Sequence, residues 1–349
     1  MGTRAKVDSS KMFSKQVESY EYSASNISEL LIKNFADLTK AFYEMQTSFL
    51  TSIYKKYKDI ETANIALCFV KNAHLEILRK RDTDLDHNIS LENFLYNINN
   101  IQKPTGKIVS IVKATGIPKE TVRRKIKRLE NLEYINCLKN KEYTLNYLPK
   151  HYEEFSNSVN KDILIVTKFI LTVTKNLNLN FSIDSIEREI RTKFSFYWYH
   201  FLSCELQWMK MWQNSVKDID LVFIAIQALI PTLNYTDPNS NIKKLNLSNI
   251  NRIIGKTTLN YTSSDSAISA TSISEISGIP RATCIRKLEK IVRLGFLIKD
   301  SRTKRYYVNQ LTSKRIKNIT IKENIYGTIT TFSNLLEIII RALLKNKKY

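Results

Sequence analysis

The sequence predicts a mainly α-helical protein with small β-hairpins, in which one structural unit occurs twice around a core of long helices. Three observations carry this. Residues 110–145 and 272–308 share an order of short helix, Gly-Ile-Pro turn, basic helix and strand pair. Apolar residues recur at helical spacing through most of the remaining chain. Segments upstream of the two stretches correspond at an offset of 159 residues, close to the 162 that separates the Gly-Ile-Pro motifs.

The elements follow in order. Residues 1–24 are polar and form an N-terminal tail; a first module spans 25–178 and a second 179–349. A long helix over 41–58 matches one over 200–217. Lys58, Asp59 and Ile60 then open an apolar helix to Val70, as Lys217, Asp218 and Ile219 open one to Ile230. Short helices are expected to start near Ser90 and Ser248. Apolar closing helices follow over 161–175 and about 325–345. With 349 residues and 43% hydrophobic content, the chain is long enough for a substantial core.

Within each repeated stretch the residue types dictate the local geometry. Gly116 and Gly278 supply the left-handed turn that stops the first helix, and Pro118 and Pro280 pre-set the backbone at the start of the second. Ser110 and Ser272 are placed as N-caps, with Ser272 and Glu275 forming a capping box. In the first basic helix Val122, Ile126 and Leu129 face inward, leaving Lys119, Thr121, Arg123, Arg124 and Lys127 outside. The second buries Cys284, Leu288 and Ile291 and exposes Arg281, Thr283, Arg286 and Lys290. Hairpins are expected over 134–145 and 296–308, with Arg302, Lys304 and Arg305 near the tip of the second. Glu133 stands where the second copy has Gly295, so the first hairpin is expected to be less regular.

This pattern resembles the winged helix-turn-helix domains of bacterial transcriptional regulators, with the MarR-like group as the nearest resemblance; the winged units fall at about 101–148 and 262–312. The resemblance implies a sequence-specific regulator of double-stranded DNA rather than an enzyme, while the widely spaced cysteines and the polar N-terminus lead us to expect a cytoplasmic protein. It further implies a covalent pseudo-dimer, monomeric or weakly homodimeric, whose long helices form a shared core. Charge agrees with this. The formal net charge is +21, and residues 101–130 hold nine Lys/Arg against two Asp/Glu, residues 281–320 twelve against two. The excess is therefore concentrated at the basic helices and the second hairpin. Two alternatives use the same features: a plasmid-type replication initiator with two winged domains, and a protein-docking scaffold.

Other chemistry finds little footing. Gly255, Lys256 and Thr257 resemble the end of a phosphate loop, but Ile250 takes the place of its first glycine. The run of residues 82–86 begins like a calcium loop, yet His87 replaces the turn glycine and Asn93 the closing glutamate. His74, His87, His151 and His200 are isolated, and no cofactor or metal is expected. Cys68, Cys137, Cys204 and Cys284 are widely spaced and are expected to be reduced. No window is expected to span a membrane. The aromatic segment 194–212 places Trp198, Phe201, Glu205, Trp208 and Trp212 on one helical face, which suits either a core seam or a small-molecule effector pocket with one polar anchor.

Overall fold

A computed structural model describes residues 22–97, 105–234, 267–308 and 321–347. Among these, thirteen α-helices and two small antiparallel sheets make a mainly helical protein. The first series comprises α1 (Ala24–Lys33), α2 (Phe35–Tyr57), α3 (Ile60–Thr83), α4 (Leu91–Asn97), α5 (Ile108–Thr115) and α6 (Lys119–Asn131). Strands β1 (Ile135–Cys137) and β2 (Tyr143–Leu145) follow, then α7 (Tyr152–Asn176). The second comprises α8 (Ile183–Thr192), α9 (Phe194–Val216), α10 (Ile219–Asn234), α11 (Ala270–Ser277) and α12 (Arg281–Arg293). It ends with β3 (Leu297–Lys299), β4 (Tyr306–Val308) and α13 (Ile321–Lys347).

The same order thus occurs twice. Helices starting at 24, 35 and 60 have counterparts starting at 183, 194 and 219, an offset of 159; those starting at 108 and 119 have counterparts at 270 and 281, an offset of 162. Packing repeats in the same exchanged fashion. Helix α9 lies along α3 as α2 lies along α10, and α13 packs on α1 and α9 as α7 packs on α8 and α2. Each half is therefore completed by helices of the other, and one apolar core runs through both. The short helix expected to start near Ser248 and the phosphate-loop-like residues 255–257 lie outside the described residues.

Local chemistry explains the junctions. Ser23 and Ser182 cap α1 and α8 by accepting from Asn26 and Ser185, and Asp59 caps α3 by accepting from Thr62. Between α2 and α3, and between α9 and α10, Lys58 and Lys217 adopt left-handed conformations with φ of 57° and 60°. The turn after residue 83 leads to Ser90, whose hydroxyl accepts from the Asn93 amide at the start of α4.

Three expectations are corrected. Helices α5 and α11 begin two residues before Ser110 and Ser272: Lys107 stands at the first N-cap and Ser269 at the second, where its hydroxyl accepts from the Ser272 amide. Ser269 thereby takes the capping role expected of Ser272, and no capping box with Glu275 is needed to start the helix. The first hairpin is as regular as the second, each with three paired residues. Glu133 achieves this by adopting a φ of 61° in the place where Gly295 has 85°. Finally, one stretch of α13, Glu323–Asn346, is long and apolar enough by length and composition to cross a membrane. In the fold, its Phe332, Leu336, Ile339 and Ile340 are packed into the core at no more than 1% exposure.

Candidate nucleic-acid interface

Each compact head is built from the two helices and hairpin of its repeated stretch. Ile111, Ile117, Val122, Ile126, Leu129, Ile135 and Leu145 are buried in the first; Ile273, Ile279, Cys284, Leu288, Ile291 and Leu297 are buried in the second. Gly116 and Gly278 end α5 and α11 with φ of 73° and 76°, a conformation that disfavours a Cβ. Polar groups inside the two turns are matched as well. The Thr115 hydroxyl donates to the Ile111 carbonyl and accepts from the Ile117 amide, as Ser277 does with Ile273 and Ile279. A third extended segment completes each hairpin: Gly106 bridges to Tyr143, and Ile268 to Tyr306.

The residues expected on the outer faces are found there. Lys119, Arg123, Arg124 and Lys127 are exposed on α6, and Arg281, Arg286 and Lys290 on α12; Thr121 and Thr283 are half-buried. Arg123 pairs with Glu120 at 2.6 Å, Lys127 with Glu130 at 3.8 Å and Lys290 with Asp218 at 3.9 Å. Exposed pairs of this kind contribute little stability and exchange readily for another anion. Arg281 donates to the Thr271 hydroxyl at 3.0 Å. Arg124 and Arg286, at matching places, have no ion-pair partner among the described residues. At the second hairpin tip Arg302, Lys304 and Arg305 are exposed, and Asp300 organises the turn by accepting from the Arg302 and Thr303 amides at 2.9 and 2.5 Å.

Lys125 and Lys287, absent from the outward sets expected of these helices, have a different role. Lys125 and Lys287 are 14% and 12% exposed and turn toward the body. Lys125 meets Asp59 at 2.5 Å and Glu61 at 3.6 Å at the start of α3. Lys287 meets Asp218 at 2.7 Å and Asp220 at 3.0 Å at the start of α10. Burial opposes charge on Asp59, but hydrogen bonds from Lys125 and Thr62 outweigh it and hold its carboxyl below the usual range. Burial, followed by the Asp220 and Asp218 charges, acts on Lys287 in opposite directions, and the acids win, raising it.

The aromatic stripe of α9 is mostly core. Trp198, Phe201, Glu205 and Trp208 are at most 3% exposed, while Trp212 is half-buried. Trp198 stacks with Phe194 and leans on Phe201, with centroids 5.2 and 5.0 Å away. The five residues do not line one cavity together. Trp208 and Trp212 do border an apolar cavity of about 50 Å³ with Thr39, Phe42, Phe169 and Phe332. Thr39 lies 159 residues before Trp198, so a small side chain occupies the place that an indole fills in the other half. Burial pushes the Glu205 carboxyl up to about 8, with the Gln46 amide opposing and the Asp162 charge adding to the rise.

A larger cavity of about 330 Å³ opens between α2, α7 and the first hairpin, bordered by Lys56, Tyr57, Tyr134, Tyr147, His151 and Phe155 among others. The Lys56 ammonium lies 5.2–5.4 Å from the ring centres of Tyr57, Tyr134 and Phe155. It has no carboxylate within ion-pairing distance among the described residues. Burial lowers its pKa despite the charges of Glu154 and Asp162. The His151 Nε2 atom is buried without a hydrogen-bond partner. No protein-family model, curated protein or solved structure matches the chain.

Proposed function

We propose that the chain is a sequence-specific, double-stranded DNA-binding transcriptional regulator that uses two non-identical winged helix-turn-helix heads in one polypeptide. The observation that carries this reading is the twofold recurrence of a short helix, turn, basic helix and hairpin, with Arg124 and Arg286 exposed and without an ion-pair partner among the described residues at the same point of each. Guanidinium groups so placed suit bidentate contact with phosphate or with guanine edges, and the exposed hairpin-tip cations of the second head suit a phosphate or minor groove. The exchanged packing of the halves supports a single chain supplying what a dimer supplies elsewhere. The reading needs no cofactor or catalytic residue.

Duplex binding measured over a salt series tests it. Affinity should fall steeply as salt rises, because each neutralised phosphate releases counterions. Arg124→Ala and Arg286→Ala should each weaken binding to a selected site about tenfold, and the double change should leave only sequence-independent association. Parental affinity in the double variant would contradict the reading. A preference for tandem identical sites would instead favour the replication-initiator alternative, and weak DNA binding with one stable protein partner the docking alternative.

A small-molecule effector is the second part of the proposal, favoured by the cavity beside Lys56. A half-buried ammonium among aromatic rings, with no carboxylate paired to it among the described residues, suits an anionic group on an apolar body. Because the cavity touches both the helical body and the first hairpin, occupancy there would shift DNA affinity reciprocally. Lys56→Met should abolish any such shift while leaving DNA binding in the absence of ligand intact.

A further inference from the structure

The inward lysines of the two heads each pair with acids of their own half, Lys125 with Asp59 and Glu61 and Lys287 with Asp218 and Asp220. Lys125 is anchored at the start of α3 and Lys287 at the start of α10, and the two anchoring sites adjoin. The Glu61 carboxyl is raised first by burial and further by the Asp59 and Asp220 charges, with Lys125 opposing; the Asp220 carboxyl is likewise raised by burial and by Asp218 and Asp59, with Lys287 opposing. Gln213, on α9 of the second half, donates to Glu61 of the first at 3.4 Å. Three ammonium groups, those of Lys125, Lys287 and Lys290, thus serve four carboxylates, and the carboxylates of the two halves act on one another.

Each head is also seated on the opposite half. The Lys210 ammonium donates to the Lys113 carbonyl of α5 at 2.9 Å, and a Cβ at Gly116 would stand 2.8 Å from the Asn214 side chain. Across the molecule, Gly278 faces Lys55 and Tyr54 in the same way, at 3.4 and 3.8 Å. A head held by its own half through a part-buried ion pair, and by the other half through its first helix, is restrained from rotating alone.

We propose that Lys125 and Lys287 are positioning residues: with Asp59, Glu61, Asp218 and Asp220 they lock both heads to one shared charged cluster, so that the chain measures the spacing between two DNA half-sites. This rests on the DNA-binding reading. A part-buried ion pair is weak evidence of stability but can fix one arrangement over others, and spacing is the property such a device would fix.

The experiment has two arms. In the first, duplexes carrying the selected half-sites at their native separation, or with two or three base pairs inserted, are bound by the parent, by Lys125→Met, and by Lys125→Met/Asp59→Asn/Glu61→Gln, which removes the orphaned acids. The parent should lose at least about tenfold in affinity on insertion, since a phase change misplaces one head, and both variants less than about threefold. A spacing profile as sharp as the parent's in both variants overturns the proposal. In the second arm, the melting temperatures of Lys125→Met, Lys287→Met and their combination are compared. A shared cluster makes the combined drop differ from the sum of the single drops; strict additivity overturns it. A parent that binds no duplex specifically would defeat the DNA reading, while the melting cycle would still decide whether the heads are coupled.

Discussion

Glu205 carries a fully buried carboxyl into the centre of the bundle, beside the Gln46 amide. Its counterpart 159 residues earlier is Gln46, also fully buried, so one polar side chain from each half meets in the core and only one of them titrates. Because the folded carboxyl titrates at about 8, above its unfolded value, the neutral form is the stable one. Stability is complete below the unfolded pKa and is lost as pH rises toward 8, at ~1.4 kcal/mol per pH unit. Glu205→Gln should therefore flatten the pH dependence of the urea midpoint and add on the order of 3 kcal/mol at pH 7. An unchanged pH slope would show that Glu205 is not the titrating group. Glu133 makes a second test at this scale. Its left-handed backbone is an arrangement that costs about 1–2 kcal/mol for a residue with a Cβ, and its side chain makes an exposed pair with Lys150. Glu133→Gly should raise stability by about 1 kcal/mol and Gly295→Ala should lower it by a similar amount, both read from denaturant midpoints.

At the scale of elements, periodicity did most of the predicting. The alternation of Val122, Ile126 and Leu129 with charged residues defines α6 without ambiguity, and the Gly-Ile-Pro turns set its start. Caps were less legible. Ser110 and Ser272 have the chemistry of N-caps, but the apolar faces of α5 and α11 begin two residues earlier, and Ser269 is an equally good cap closer to that start. Helical spacing leaves Lys125 and Lys287 off the outward faces, but their partners were not legible in the basic helices, because the acids that bind them lie 66 and 69 residues away in sequence. The alternative readings of the α9 aromatic stripe depended on what packs against it. Helix α13 and the helices of the first half fill most of that face, and only the place opposite Thr39 stays hollow. The role of α13 as a core helix gives a prediction of its own. Phe332→Ala, removing a ring 1% exposed that meets Phe42 at 4.9 Å, should lower stability by about 3–5 kcal/mol. Ile276→Ser on the outer face of α11, 48% exposed, should change it by less than ~0.5 kcal/mol. Equal effects would mean that α13 is not part of the folding core.

For the whole molecule, the consequence of two heads in one chain is asymmetry. Identical subunits present identical helices and favour palindromes. Here Lys119, Glu120, Arg123 and Lys127 of one head correspond to Arg281, Ala282, Ile285 and Glu289 of the other. Ile285 offers apolar contact, suited to a thymine methyl, where Arg123 offers donors, and Glu289 is committed to Lys299 and the Tyr306 hydroxyl at 2.5 and 3.0 Å. The two half-sites should differ in sequence, with centres about 34 Å apart if the heads meet successive major grooves on one side of the duplex. Selection of bound duplexes from a random pool measures this most directly. The account predicts two dissimilar half-sites at one fixed separation, with their order reversed when α6 and α12 are exchanged within the chain; recovery of perfect palindromes, of single half-sites without fixed spacing, or of no preferred sequence would contradict it.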